Sequence, residues 1–199
     1  MLVFLGAAAL AFGAVFIAEF GDKSQLLILA WATRYPALPV IIGLVLAAAT
    51  IQGVSVLVGA SLGAVLPGQV VAIVAGLAFL AVAAWTVRGD DDEEEDATAA
   101  AGGRRRTGLA LIGAVAGTFV LGELGDKTML VTFGLAASQG ALATWVGSTL
   151  GEVAANLVAV VVGRQVGARL SARTVRLGSA ALFAIGGVVV LVGALLGGE

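Results

Sequence analysis

Glu19-Phe20-Gly21-Asp22-Lys23-Ser24 returns at an offset of 104 residues as Glu123-Leu124-Gly125-Asp126-Lys127-Thr128. Working outward at the same offset and without a gap, Gly13 falls on Gly117, Gly43 on Gly147, Gln52 on Asn156 and Phe79 on Phe183. The Gly59-x-x-x-Gly63 pair falls on Gly163-x-x-x-Gly167, a spacing that lets helices approach closely. The chain is therefore one unit written twice.

Each motif sits in a long apolar run. Charged residues are 12% of the chain and the mean hydropathy is +1.07, which excludes a water-soluble domain of ordinary composition. A bilayer core needs roughly 20 mostly apolar residues per helix. The sequence offers six such stretches, near 2–33, 38–63, 68–88, 107–137, 140–163 and 175–197. The expected fold is an all-α membrane protein: a first three-helix repeat over 1–88, a flexible cytoplasmic linker over 89–106, and a second three-helix repeat over 107–199. Three spans per unit is an odd number, so the second copy must enter the membrane from the opposite side. Inverted repeats of this kind are the architecture of secondary transporters, which hold their substrate near the midplane where the halves meet.

The motifs place Glu19, Asp22, Glu123 and Asp126, with Lys23 and Lys127, at membrane depth. An ionisable group there costs roughly 2.5–3.5 kcal/mol even on the lenient insertion scale. Structural ion pairing alone is a weak reason to bear that twice. Helical spacing puts Glu19, Asp22 and Lys23 on one face, and the second motif repeats the pattern. Gly21 and Gly125 allow close backbone approach or local unwinding, and the Ser24 and Thr128 hydroxyls add oxygen donors or bond back to the helix. Four carboxylates and two lysines sum to −2, which one divalent cation neutralises. Oxygen ligands suit Ca²⁺, Mg²⁺ and Mn²⁺. The chain has no Cys and no His, so the usual ligands for zinc, copper and iron–sulfur centres are missing. An empty cluster of acids repels itself, and protons that take the place of the metal make the minimal antiporter.

Further polar residues lie close in sequence or depth. Gln25 and Met129 follow the two motifs at matching positions. Gln25 brings a carbonyl oxygen and Met129 a thioether, which favours a borderline transition ion over Ca²⁺ if it is not simply packing. Gln52, Asn156 and Glu152 fall mid-span; amides there also serve as glue between helices. Glu152, whose repeat partner is Ala48, is the candidate proton-carrying group.

Nine arginines flank the connections after the first, third and fifth spans, and none flanks the others. The positive-inside rule then puts those loops in the cytoplasm and both termini outside. The apolar N-terminus lacks a basic leader region and belongs to the repeat, so it is read as mature sequence. Asp90 to Asp96 is a linker or, alternatively, a cation-concentrating antenna.

The duplicated E-x-G-D-[KR]-[ST] signature on the first and fourth of six spans resembles the Gdt-type cation/proton antiporters, also called the transmembrane protein 165 family, along the full chain. The resemblance implies exchange of Mn²⁺ or Ca²⁺ for protons, metal export across a bacterial plasma membrane, and Glu19, Asp22, Glu123 and Asp126 as the metal and proton site. No enzyme activity, cofactor or nucleic-acid partner is expected. The partners are the ion, the proton and the lipid bilayer, with oligomerisation left open. Two other classes compete. A cationic amino acid exporter would use the same acids on ammonium groups. An intramembrane aspartyl protease would need only Asp22 and Asp126, leaving the glutamates and lysines unexplained.

Overall fold

The computed structural model of this chain describes residues 1–20, 22–88, 106–166 and 172–196. Among them every regular element is a helix, and the eight helices run α1 (Leu2–Glu19), α2 (Lys23–Arg34), α3 (Ala37–Val65), α4 (Gly68–Arg88), α5 (Gly108–Glu123), α6 (Lys127–Gln139), α7 (Ala141–Val166) and α8 (Ala172–Leu196). The 104-residue offset reappears in these bounds: α2 and α6 start at 23 and 127, α3 and α7 at 37 and 141, α4 and α8 at 68 and 172.

Both motif-bearing spans depart from the expected single helix. Residues 2–33 are divided between α1 and α2, and 107–137 between α5 and α6, with a bend of 79° in the second pair. Each break falls on the motif, where buried carboxylates and a glycine replace the apolar run. Because α1 ends on Glu19 and α2 begins at Lys23, Glu19, Asp22 and Lys23 do not share one helical face as expected. Long, apolar helices able to cross a membrane are Leu2–Glu19, Ala37–Val65 and Gly68–Val87, and the bent α5–α6 pair passes if taken as one span. Ala180–Leu196 is apolar but shorter.

Packing runs mainly between the halves, and its pattern exchanges them. α1 lies along α7 as α5 lies along α3, while α4 pairs with its own repeat partner α8. Glycines allow these approaches. A Cβ on Gly147 or Gly151 would strike the backbone carbonyl of Ala8 or Phe12 on α1, and one on Gly59 or Gly63 would strike that of Phe133 or Ala137 on α6. The small-residue spacing in α3 thus serves helix packing, where a lipid environment rewards close contact. Large apolar side chains such as Leu57, Leu121 and Leu182 are exposed around the outside, as a lipid-facing surface requires. The acidic run Asp90 to Asp96 and Gly167 lie outside the described residues, as does the side chain of Lys23.

Candidate metal centre

The two motifs build the same backbone turn twice. α1 ends on Glu19 and α5 on Glu123, and the next residues, Phe20 and Leu124, are extended at φ −68°, ψ 118° and φ −61°, ψ 119°. Asp22 N–H then donates to Glu19 C=O and Asp126 N–H to Glu123 C=O, both at 3.1 Å. Gln25 N–H returns to Asp22 C=O and Met129 N–H to Asp126 C=O, again at 3.1 Å, which starts α2 and α6. Gly125 takes φ +82°, a left-handed value that other residues reach only with strain. Each motif thereby places a helix C-terminus and a helix N-terminus side by side, with acids at both. Carboxylates at the start of α2 and α6 sit in the favourable field of those helix N-termini.

The side chains of both halves meet. Glu19, Asp22 and Glu123 are buried, and each offers an oxygen such that all three atoms lie within 4.8 Å of one another. Two come from the first repeat and one from the second. Asp126 is buried as well, at the N-cap of α6, but lies outside this tight trio. Lys127 Nζ reaches Asp22 Oδ2 at 3.0 Å, so the lysine of the second motif pairs with the aspartate of the first rather than with its own neighbours. Ser24 Oγ donates to the Glu19 carboxylate instead of to the backbone, and fixes one of its oxygens. Glu19 Oε1 and Glu123 Oε2 are buried without a protein partner, as is Thr128 Oγ1, so the two hydroxyls of the paired motifs behave differently.

A second polar layer crosses beside the first. Thr132 Oγ1 donates to Gln52 Oε1 at 2.6 Å, and Gln52 Nε2 donates to Glu152 Oε2 at 2.6 Å, linking α6, α3 and α7. Asn156 Nδ2 donates to the Glu152 backbone carbonyl at 3.0 Å. Thr132 was not legible as a site residue. Its signal would have been a hydroxyl one turn beyond Thr128 on a helix that starts at the motif. Gln25 Nε2 turns to the Ala155 carbonyl of α7 at 3.2 Å, and Met129 Sδ accepts from Gly125 N–H at 3.1 Å, so the sulfur folds back onto its own turn.

Buried oxygen donors with unmet capacity, drawn from both halves, are the ligand type that a hard or borderline cation takes, and Glu19, Asp22 and Glu123 could hold one. Carboxylates gathered in a low-dielectric setting repel one another unless a cation lies between them. Comparison with known proteins decides the class. A family model described as the divalent cation/proton antiporter GDT1 matches residues 7–94 and 111–197. The chain belongs to this family. As a GDT1 antiporter it is a transporter and not an enzyme, which sets aside the protease reading and leaves the amino acid exporter without support. A curated relative from Vibrio cholerae serotype O1, whose name reads "Putative manganese exporter", is 28% identical over 178 residues, covering 88% of this chain and 85% of the relative. No solved structure matches. The two matched segments of the GDT1 model fall one on each motif-bearing half, and the acid trio draws on both.

Proposed function

We propose that this antiporter exports Mn²⁺, with Ca²⁺ the second candidate, from a bacterial cytoplasm in exchange for protons, and that Glu19, Asp22, Glu123 and Asp126 hold the ion. The observation that carries this reading is the buried trio of carboxylates contributed by both halves. The name of the Vibrio cholerae relative supports Mn²⁺ and the outward direction.

The architecture of the proposal is six spans in two inverted halves, 1–88 and 107–199, joined by a cytoplasmic linker at 89–106. A common offset in three of the four pairs of helix starts, and partners that exchange between halves, support it. Both termini lie outside the cytoplasm in this scheme, in keeping with the nine loop arginines. A reporter fused after Glu199 should be active only outside; activity inside would overturn the orientation.

Charge sets the exchange. Four acids with Lys23 and Lys127 sum to −2, so one divalent cation neutralises the centre and protons must replace it on departure. Lys127 holds Asp22 from the opposite half, and Ser24 holds Glu19, leaving the remaining carboxylate oxygens to the ion. Breaks in both motif helices provide carbonyls and helix ends at the same depth, as in other transporters with discontinuous helices. Glu152, braced by Gln52, serves proton coupling, and Asn156 Oδ1 and Thr128 Oγ1 are buried with no hydrogen-bond partner. The test is purified protein in liposomes, offered Mn²⁺, Ca²⁺ and Mg²⁺ while internal pH is followed. Mn²⁺ movement should drive protons the opposite way. Metal flux without a pH change would end the exchange mechanism.

A further inference from the structure

A buried apolar cluster joins Leu27, Ile28 and Trp31 of α2, Val40, Leu44 and Ala47 of α3, and Leu111, Val115 and Phe119 of α5. The 104-residue offset assigns each of these a partner in the other half. For α2 the partners on α6 are Val131, Thr132 and Leu135. For α5 the partners on α1 are Ala7, Ala11 and Val15. For α3 the partners on α7 are Thr144, Ser148 and Gly151. Every partner is smaller or more polar than its counterpart. Among these partners Ala11, Val15, Val131 and Leu135 join a second apolar cluster with Val82 and Phe183, whereas Thr144 and Ser148 bring buried hydroxyls where α3 has hydrocarbon.

The polar members line up. Thr144, Ser148 and Glu152 recur every four residues on α7, which puts them on one face over about 12 Å. All three are buried against neighbouring helices. Thr144 Oγ1 has no protein partner, and Ser148 Oγ reaches only the Trp145 carbonyl at 3.3 Å. A buried hydroxyl without a partner is unfavourable. Valine, which fills the matching position 40, would occupy the same volume with no such penalty. At the inner end Glu152 has one carboxylate oxygen held by Gln52 and the other unpartnered. It lies within electrostatic reach of Glu19 from α1, Glu123 from α5 and Asp126 from the head of α6, while α3 brings it the neutral Gln52.

We infer that the Thr144–Ser148–Glu152 face of α7 is the route by which protons, and not the metal, reach the acid cluster from the side of the membrane where α7 begins. Under the orientation proposed above, on whose antiport reading this rests, that is the outer side, the source of protons during metal export. The chemistry of the face selects the proton. A hydroxyl both donates and accepts, so hydroxyls spaced about 6 Å apart along the helix can pass a proton through water between them. A divalent ion needs about six oxygen ligands and prefers carboxylates, yet no acid precedes Glu152 on this face. Gly147 and Gly151 press against the backbone of Ala8 and Phe12, so a hydrated cation has no passage between α1 and α7.

The test separates two modes of transport in proteoliposomes: Mn²⁺/Mn²⁺ exchange at equal pH, and Mn²⁺ flux driven by a pH gradient. The Thr144→Val/Ser148→Ala double variant should lose gradient-driven flux by on the order of tenfold, equivalent to about 1.4 kcal/mol on the barrier, while Mn²⁺/Mn²⁺ exchange stays near the wild-type rate. Thr144→Val alone, which keeps volume, should show the same split in smaller measure, and Thr144→Ser should restore it. Equal loss in both modes would make the hydroxyls merely structural, and no loss in either would remove them from the proton route; both results overturn the inference. A wild-type protein inactive in both modes would instead defeat the antiport reading beneath it.

Discussion

Replacing Lys127 with Met removes the ammonium that sits 3.0 Å from Asp22 while keeping most of the stem. The pair is largely shielded from solvent, with side-chain exposures of 10% and 8%, so screening by salt is weak. Deleting one partner of a buried pair leaves an uncompensated charge, which costs about 3–5 kcal/mol. At about 2–4 °C per kcal/mol for a chain of this length, the metal-free variant should melt roughly 6–20 °C below wild type. The cation reverses part of this. Loss of one positive charge takes the centre from −2 to −3, so Mn²⁺ should bind the variant more tightly and stabilise it more than it stabilises wild type. Ligand at about 100 times its Kd adds about 2.7 kcal/mol, and a tighter site gains more at the same concentration. Thermal unfolding in detergent, followed by the emission of fully buried Trp31 with and without Mn²⁺, reads both effects. A variant that melts with wild type, or that gains no more than wild type from Mn²⁺, would refute the idea that Lys127 offsets charge inside the cation centre.

Gly147→Ala should destabilise by about 1–3 kcal/mol, because its Cβ meets the Ala8 backbone carbonyl, which cannot swing aside as a side-chain tip would. Gly13→Ala, with nothing within 4 Å of the added carbon, should be neutral or slightly stabilising in the same melting assay. Met129→Leu should leave the ratio of Mn²⁺ to Ca²⁺ flux unchanged, since the sulfur is engaged by the Gly125 amide; a fall in that ratio would return the thioether to the ion.

The repeat was legible in the sequence because its offset is carried by the motif glycines and acids themselves, and three of the four pairs of helix starts follow the same offset. The break inside each motif was only half legible. Apolar runs continue on both sides of the motif, so hydropathy reads straight through a turn built on the left-handed Gly125, with Asp126 at the N-cap position of α6. The Lys127–Asp22 pair could not be read from spacing, because the lysine's sequence neighbours are also acids and only the meeting of the halves selects the distant one. Gln52 and Glu152 stood out singly as polar residues at depth, yet their bond spans 100 positions and needs the crossing of α3 and α7. Thr144 and Ser148 were hidden for a different reason. A hydroxyl barely lowers the hydropathy of a span, and their role becomes visible only against Val40 and Leu44 at the matching positions.

The central claim is that carboxylates from the two halves hold one divalent cation, and Mn²⁺ binding to purified protein tests it without any transport step. Titration followed by electron paramagnetic resonance, in which free Mn²⁺ gives a sharp six-line signal that binding depletes, should show tight binding in wild type. Glu19→Gln and Glu123→Gln should each abolish it, although one residue lies in each repeat. Binding at wild-type strength in either variant would contradict a shared centre and leave each motif to act alone.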